Sequence, residues 1–539
     1  MARQKRSVHA QAFANPNEFD AQLYAALRNS PWWMISVAAH VLLFVISGLL
    51  QTGAVVLPAA TPAAITVDRT IDAPPDEQKP EDPDPIDKLP PDVLIAKEPK
   101  FTDVQDNQPA EDDNDLDNHD TYGHTDGSMT GEFDGPSTNR DIGLGSGWAQ
   151  GGHGLGSRFK HGGPRGGSSP KTEDAIDLAL RWLAAHQSPD GSWESEGFAR
   201  WNEGKPVVGD GPEGKGKAQY DVGVTGLALL AYLGAGFTPQ TEGRYGKVVR
   251  DGLRWLKNAQ DAEGCVGSRA TGHYVYNHAI AALALVEAYG MTGSTIWKSP
   301  AQKALDFIAI ARNPYFAWRY GVKPGDNDTS VTGWMMMAMK SARLVNESDV
   351  RRSKPPTFEI DADAFDGIKS WIEKMTDAET GRVGYQQRGT GPARPTEMVD
   401  RFPSDKSESM TAVGVLARVF LGENPKTSLM VQRGAALCAK LVPTWDPAAG
   451  TVDMYYWYYA TLALFQVGGD AWKKWDAAMK PAVAETQRLD GDFSMYKGSW
   501  DPIDPWGGDG GRVYSTAVMA MCLEVYYRYE RVFGTHDSK

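Results

Sequence analysis

Cysteine is nearly absent from this chain: three residues in 539, an odd number, which excludes a disulfide-stapled scaffold. Positive charge is outnumbered, with 55 Lys and Arg against 69 Asp and Glu and a net charge of −14, so no broad basic face exists to hold nucleic acid. The acidic excess is local. Between Asp68 and Asp134 stand 21 acidic and 5 basic side chains, a net of −16, which leaves +2 for the rest of the chain. Long apolar runs are missing except for one, which excludes a mainly transmembrane protein. Hydrophobic residues make up 41% of a chain too long for one ordinary domain, so the chain should divide into segments of different character.

No Asp, Glu, Lys or Arg occurs from Asn29 through Val67, and Trp32 to Leu50 is an almost unbroken apolar run long enough to span a bilayer. Arg3, Lys5, Arg6 and Arg28 precede it, so the positive-inside rule puts the N-terminus in the cytoplasm. Residues 1–31 read as a cytoplasmic basic tail and 32–57 as an uncleaved single-pass anchor in the lipid bilayer. The competing reading is a signal peptide cut near Pro58-Ala59-Ala60. Ser36 and His40 interrupt the run four residues apart, on one helix face, where ionisable groups are costly enough to be functional candidates. With the basic tail and the proline-rich stretch beyond, this pair resembles the anchor of TonB-type energy transducers. The resemblance covers about the first hundred residues and implies that Ser36 and His40 contact a proton-driven motor complex.

Residues 58–170 show no sustained periodicity. The segment begins rich in Pro and Asp (Asp82-Pro83-Asp84-Pro85) and ends rich in Gly (Gly143 to Gly167). Low hydrophobicity with dense like charge cannot offset the entropy of folding, so a disordered tether is expected. Asp113, Asp115 and Asp117 imitate the start of an EF-hand loop. Asn118 stands in place of the turn glycine and His124 in place of the closing Glu, so the stretch reads as solvated acid. His153 and His161 read as spacer.

From Lys171 onward helices alternate in character. The amphipathic helix Ala175 to His186 ends in Gln187-Ser-Pro-Asp-Gly191-Ser-Trp193, and Val248 to Ala259 ends in Gln260-Asp-Ala-Glu-Gly264-Cys-Val266. Gln487-Arg-Leu-Asp-Gly491-Asp-Phe493 repeats the spacing, and the segments around Gly381 and Gly450 are degenerate copies. The Gln amide can satisfy backbone groups at a helix end while Gly permits the reversal. A more apolar helix follows each turn: Val222–Leu233, His278–Tyr289, Thr329–Leu344, Glu408–Leu421, Tyr455–Gln466 and Tyr514–Tyr529. A further outer helix, Ser299 to Ile310, pairs with the third of these although its turn motif is lost. Helices apolar on most faces belong inside a ring of amphipathic ones. The expected fold is all-α, an (α/α)6 toroid of six helical hairpins over residues 171–539. Its Gln-x-x-x-Gly-x-Trp turn, best kept at Gln187, Gly191 and Trp193, resembles that of the prenyltransferase and squalene-cyclase repeat superfamily, over about Lys171 to Val532.

That resemblance implies chemistry that can be checked residue by residue. Class II terpene cyclases protonate an alkene with the middle acid of Asp-x-Asp-Asp-Thr. The corresponding stretch here is Gly325-Asp326-Asn327-Asp328-Thr329, with an amide where the acid should be. Asp326 and Asp328 are the catalytic candidates if a local shift lets one substitute. Protein prenyltransferases bind zinc through Asp-x-Cys and a later His. Asp453-Met454-Tyr455 and Ser515 keep one ligand of three, so no metal and no cofactor is expected. Cys265-Val266-Gly267-Ser268 does not match the thioester motif of complement-like relatives.

Aligning the apolar helices puts Asp221, Asn277, Asp328 and Ser407 at equivalent starts. They are N-caps in one reading and a polar ring around one mouth, joined by His278 and Arg512, in the other. Asp453-Met-Tyr-Tyr-Trp-Tyr-Tyr459 supplies five aromatics for core or for a ligand wall, with Tyr455 and Trp457 as candidate lining alongside Trp334. The loop from Trp500 and Asp501 to Gly511 mixes aromatics, carboxylates and glycines, which suits a saccharide or simply a folded-over cover.

The sequence is thus read as an inner-membrane protein with its N-terminus cytoplasmic and its C-terminal domain periplasmic or extracytoplasmic. Its toroid is a ligand-binding or scaffold module with degenerate catalytic motifs. The alternatives are a divergent terpene cyclase or other isoprenoid-handling isomerase, and a polysaccharide-acting toroid enzyme.

Overall fold

In a computed structural model, residues 168–528 are described except 208, 210, 352 and 353. The tail 1–31, the anchor 32–57 with Ser36 and His40, and the tether up to residue 167 lie outside the described residues. Contacts divide the chain into two units, Met1–Ser128 and Met129–Lys539, and every described residue belongs to the second.

Amphipathic and apolar helices alternate along this unit. The amphipathic series is α1 (Pro170–Ala185), α3 (Arg244–Asn258), α5 (Thr295–Ala311), α7 (Asp363–Met375), α9 (Leu429–Cys438) and α11 (Gly469–Ala484). The apolar series is α2 (Asp221–Gly234), α4 (Tyr274–Thr292), α6 (Thr329–Arg351), α8 (Ser409–Phe420), α10 (Met454–Val467) and α12 (Gly507–Leu523), followed by a short α13 (Val525–Arg528). A two-stranded ribbon, β1 (Trp201–Asn202) and β2 (Lys205–Pro206), sits between α1 and α2. In α3 only the stripe Val248, Val249, Gly252, Leu253 and Leu256, with Gly246, is buried, whereas α2 is buried at every residue from Gly223 to Gly234. A helix apolar all round must be enclosed. Accordingly α2, α4, α6, α8, α10 and α12 each pack on the next and α12 packs on α2, closing an inner ring, with the amphipathic helices against its outside. The architecture is an α/α toroid. Among the described residues no helix is long and apolar enough to cross a membrane.

The turns explain why the ring holds its spacing. Gln187 Nε2 donates to Gly191 O and to Val248 O of α3, both at 2.9 Å. Gln260 Nε2 does the same to Gly264 O and Pro300 O of α5, at 3.0 Å. Each amide therefore closes its own turn and staples the neighbouring outer helix. Trp193 fills the space beneath, its indole donating to Leu183 O at 2.7 Å.

Two sequence expectations are corrected here. The third turn is not lost: Trp318 occupies the place of Trp193, its indole donating to Ile308 O at 2.8 Å. Arg312 replaces the glutamine, with Nη1 3.4 Å from Phe316 O and Nε 3.0 Å from Asp361 just ahead of α7. The last turn does not run through Gly491 and Phe493. Gln487 donates to Gly498 O at 2.9 Å and Trp500 is the turn tryptophan, donating to Val483 O at 2.9 Å. Gly498 stands seven positions beyond Gly491, and Gly498-Ser-Trp500 repeats Gly191-Ser-Trp193 letter for letter.

The ring closes between its last and first hairpins. Gln487 Nε2 reaches Ala175 O of α1 at 2.7 Å, and Trp182 Nε1 reaches Met495 O at 2.8 Å. On the inner layer, Arg512 N donates to Gly214 O and Lys217 N to Asp509 O, both at 2.8 Å. Gly511, at φ 68°, breaks α12 there, and a Cβ on it would stand 2.6 Å from Gly216 N, so a side chain at this kink would force the two layers apart.

Candidate functional site

The starts of the inner helices are tied to one another and make one mouth of the toroid. Asn277 Nδ2 donates to Gln219 O at 2.7 Å, Ser330 Oγ lies 3.3 Å from Tyr276 OH, and Met454 N donates to Asp504 at 3.1 Å. Below the mouth the axis is occupied. Ser330 Oγ is 3.0 Å from Tyr455 OH, and Trp334 Nε1 donates to Tyr276 OH at 2.9 Å. Trp334 stacks on Tyr458 at 5.5 Å between ring centroids and meets Tyr459 edge-on at 5.5 Å. Trp334, Tyr455, Tyr458 and Tyr459 are all buried, so α6 and α10, joined by Tyr276 of α4, plug the centre with hydrogen-bonded aromatics. Of the aromatic run on α10, Tyr456 turns the other way, its hydroxyl donating to Cys438 O of α9 at 2.9 Å, and Trp457 is buried beside Trp445.

The carboxylates singled out in the sequence are paired with arginines, with one exception. Asp326 is exposed and ion-paired with Arg319. Asp328 is fully buried and caps α6, Oδ1 accepting from Val331 N at 2.8 Å and Oδ2 from Tyr385 OH at 3.3 Å. Burial raises its pKa to about 7 against the pull of Val331 N–H and Arg319. Asn327, in the cyclase acid's place, is structural: its side-chain oxygen accepts from Ala317 N and Asn313 Nδ2. Asp453 caps α10 through Tyr456 N at 2.9 Å and pairs with the buried Arg394 at 2.6 Å. Asp501 takes Arg512 at 2.7 Å and Arg488 at 3.0 Å, and both guanidiniums lie over the Tyr496 ring. Arg512 also donates to Glu213 O and Ser499 Oγ, so it is built into the seam. Trp500 is fully buried as the turn tryptophan. Asp221 is the exception: it accepts from Ser195 N at 2.7 Å and makes no ion pair, Arg200 acting on it from farther off while bound to Glu194. Burial pushes its pKa up to about 6, helped by Glu194 and Glu196.

His278 bridges two backbone groups. Nδ1 accepts from Val266 N at 3.0 Å and Nε2 lies 3.1 Å from Ala304 O, which fixes a neutral ring with its proton on Nε2. Burial lowers its pKa to about 4. Other hairpins place a threonine hydroxyl in the same role: Trp193 N donates to Thr225, Trp318 N to Thr332, Val383 N to Thr411 and Trp500 N to Thr516. In this register Tyr274, not Asn277, is equivalent to Asp221, Asp328 and Ser407. The expected alignment was three residues off, because α4 begins earlier than its apolar run suggests.

Sequence reasoning missed an aromatic line across the mouth. Tyr220 OH lies 3.2 Å from His273 Nδ1, His273 meets the Tyr320 ring edge-on at 4.5 Å, and Tyr320 OH is 2.6 Å from Tyr385 OH, which donates to Asp328. These four rings come from loops ahead of successive inner helices and are half-buried. Desolvation raises the Tyr320 pKa to about 12 and lowers that of His273. The only signal for them was position, an aromatic or His just ahead of an apolar helix.

No protein-family model matches the chain, and no curated protein does. Solved structures that resemble it are α/α proteins of low identity. An alpha-amylase from Clostridium perfringens is 14% identical, covering 66% of this chain and 98% of its own, with a TM-score of 0.40. A type II terpene cyclase from Scytonema is 12% identical over 66% and 96%, TM-score 0.40. An alpha-1,6-mannanase from Salegentibacter is 10% identical over 67% and 100%, TM-score 0.43. At these values the likenesses carry no argument about activity.

Proposed function

We propose that this protein is a binding or scaffold module: an (α/α)6 toroid of six hairpins, carried on the acidic tether by the 32–57 anchor, that meets its ligand at the mouth rather than in the centre. The observation that carries this is the aromatic plug. A cyclase must fold a polyene inside an apolar chamber with an acid aimed into it. Here Trp334, Tyr276, Ser330 and Tyr455 fill that place, Asn327 serves the fold, and Asp326 faces Arg319 at the surface. A saccharide hydrolase needs two carboxyl groups flanking an open groove. Asp328, Asp453 and Asp501 are instead committed to helix caps and arginines. What remains partly open to solvent is the half-buried Tyr220–His273–Tyr320–Tyr385 line, whose flat faces and polar edges suit a sugar ring. Contact of Ser36 and His40 with a membrane motor belongs to the same proposal.

The full chain in detergent, incubated with squalene and geranylgeranyl substrates, should yield no cyclised product by gas chromatography and mass spectrometry. A product that disappears in Asp326→Asn or Asp328→Asn would sink this reading in favour of a cyclase.

A further inference from the structure

Between the starts of α2 and α4 lies a small cavity of about 90 Å³, lined among others by Asp221, Gly267, Ser268, Thr271, Tyr274 and Asn277. We propose that this cavity is a subsite for a primary ammonium group, held by the Asp221 carboxylate; the inference rests on the reading of the mouth as a binding face and names one chemical class it selects.

The argument begins with charge. Asp326, Asp328, Asp453 and Asp501 all stand within reach of an arginine, whereas Asp221, half-buried, makes no ion pair among the described residues. Ser195 N donates to its Oδ1. Glu194 and Glu196 act on it with the same sign, Arg200, whose charge reaches it, is taken by Glu194, and Lys217 is taken by Asp509 at 2.6 Å. A carboxylate left without a counter-ion beside an open cavity is costly unless something cationic arrives. Chemistry then narrows the cation. Among the described residues no group of three His, Cys, Asp or Glu side chains could hold a metal ion. One carboxylate among hydroxyls and a tyrosine ring matches an ammonium, which has three N–H donors and is attracted to an aromatic face. The volume admits a group of a few heavy atoms, enough for the amine end of a small molecule and too little for a whole sugar ring.

The probe is methylammonium chloride, added to the full chain in detergent while thermal unfolding is followed by circular dichroism. The midpoint should rise saturably by about 2–4 °C. Potassium chloride at equal ionic strength and tetramethylammonium, which has no N–H, should leave it unchanged. Asp221→Asn keeps an acceptor for Ser195 N and should weaken the effect about tenfold. If that variant does not fold, Ser268→Phe, which blocks the exposed wall with Asp221 intact, should abolish it. No rise above the potassium control, or an equal rise in both variants, overturns the subsite. A neutral disaccharide that binds while methylammonium does nothing would overturn this inference and leave the mouth reading standing. Cyclised isoprenoid product would overturn that reading without touching the methylammonium result.

Discussion

His278 shows how one residue's surroundings decide between chemistry and structure. With both ring nitrogens on backbone groups it does the work of Thr225, Thr332, Thr411 and Thr516 elsewhere in the ring, and burial keeps it neutral. A histidine whose folded pKa is about 4, below its ordinary 6.5, adds stability that is present above pH 6.5 and lost as pH falls through 4. His278→Thr should therefore fold, lose about 1–3 kcal/mol at pH 7 from the cavity and the freed Ala304 carbonyl, and depend less on pH between 6.5 and 4. Urea midpoints at pH 7 and pH 5 would check this. Asp504 pulls the opposite way. Buried, and facing the like charge of Asp453, it has its pKa raised to about 7, so its contribution is present below the unfolded carboxylate value near 4 and lost as pH rises through 7. Asp504→Asn should gain stability at pH 8 relative to pH 5, read by the same titrations. A midpoint difference equal to that of the unaltered chain would show that Asp504 is ionised throughout. None of this was legible beforehand: His278 was visible as a lone titratable group, but its two partners come from elements 12 and 26 residues away.

At the scale of elements the sequence was readable where the physics is periodic. Stripes of apolar residues marked the outer helices, all-round apolarity marked the inner ones, and the intact Gln-x-x-x-Gly-x-Trp turn marked where they join. It failed where a different residue performs the same contact. Arg312 staples through a guanidinium instead of an amide, and no spacing rule anticipates Asp361 as its partner. It failed again at the last turn, where Gly491 mimics the motif in sequence and Gly498 fulfils it in space. A Cβ on Gly498, at φ 95°, would lie 2.2 Å from Leu178 O, while one on Gly491, at φ 75°, would come no nearer than 3.3 Å, to Met495 Cβ. Gly498→Ala should accordingly cost more than about 3 kcal/mol and Gly491→Ala about 1–2 kcal/mol, by chemical denaturation. Similar losses for the two would return the turn to Gly491. The plug was illegible for a related reason: an inner helix shows apolar residues on every face, so its sequence does not say which of Tyr455 to Tyr459 meets the axis.

For the whole molecule the governing fact is closure. The last outer helix is stapled to the first through Gln487 and Ala175, and the last inner helix is stitched to the first loop through Gly214, Lys217, Asp509 and Arg512. Gln487→Ala should leave both Ala175 and Gly498 carbonyls short of a donor and cost about 1–3 kcal/mol. Hydrogen exchange should then accelerate first in α1 and α11, ahead of α6 and α8 across the ring. Uniform acceleration would mean the ring opens as one unit. Because the seam is held by the same amide staple as the interior joints at Gln187 and Gln260, the chain's own order is incidental to the ring. A circular permutant cut in the loop at Gln240, with the two sides of the present seam joined covalently, should reach the same native state. The toroid has a place where the polypeptide happens to start, but its cohesion has no first link.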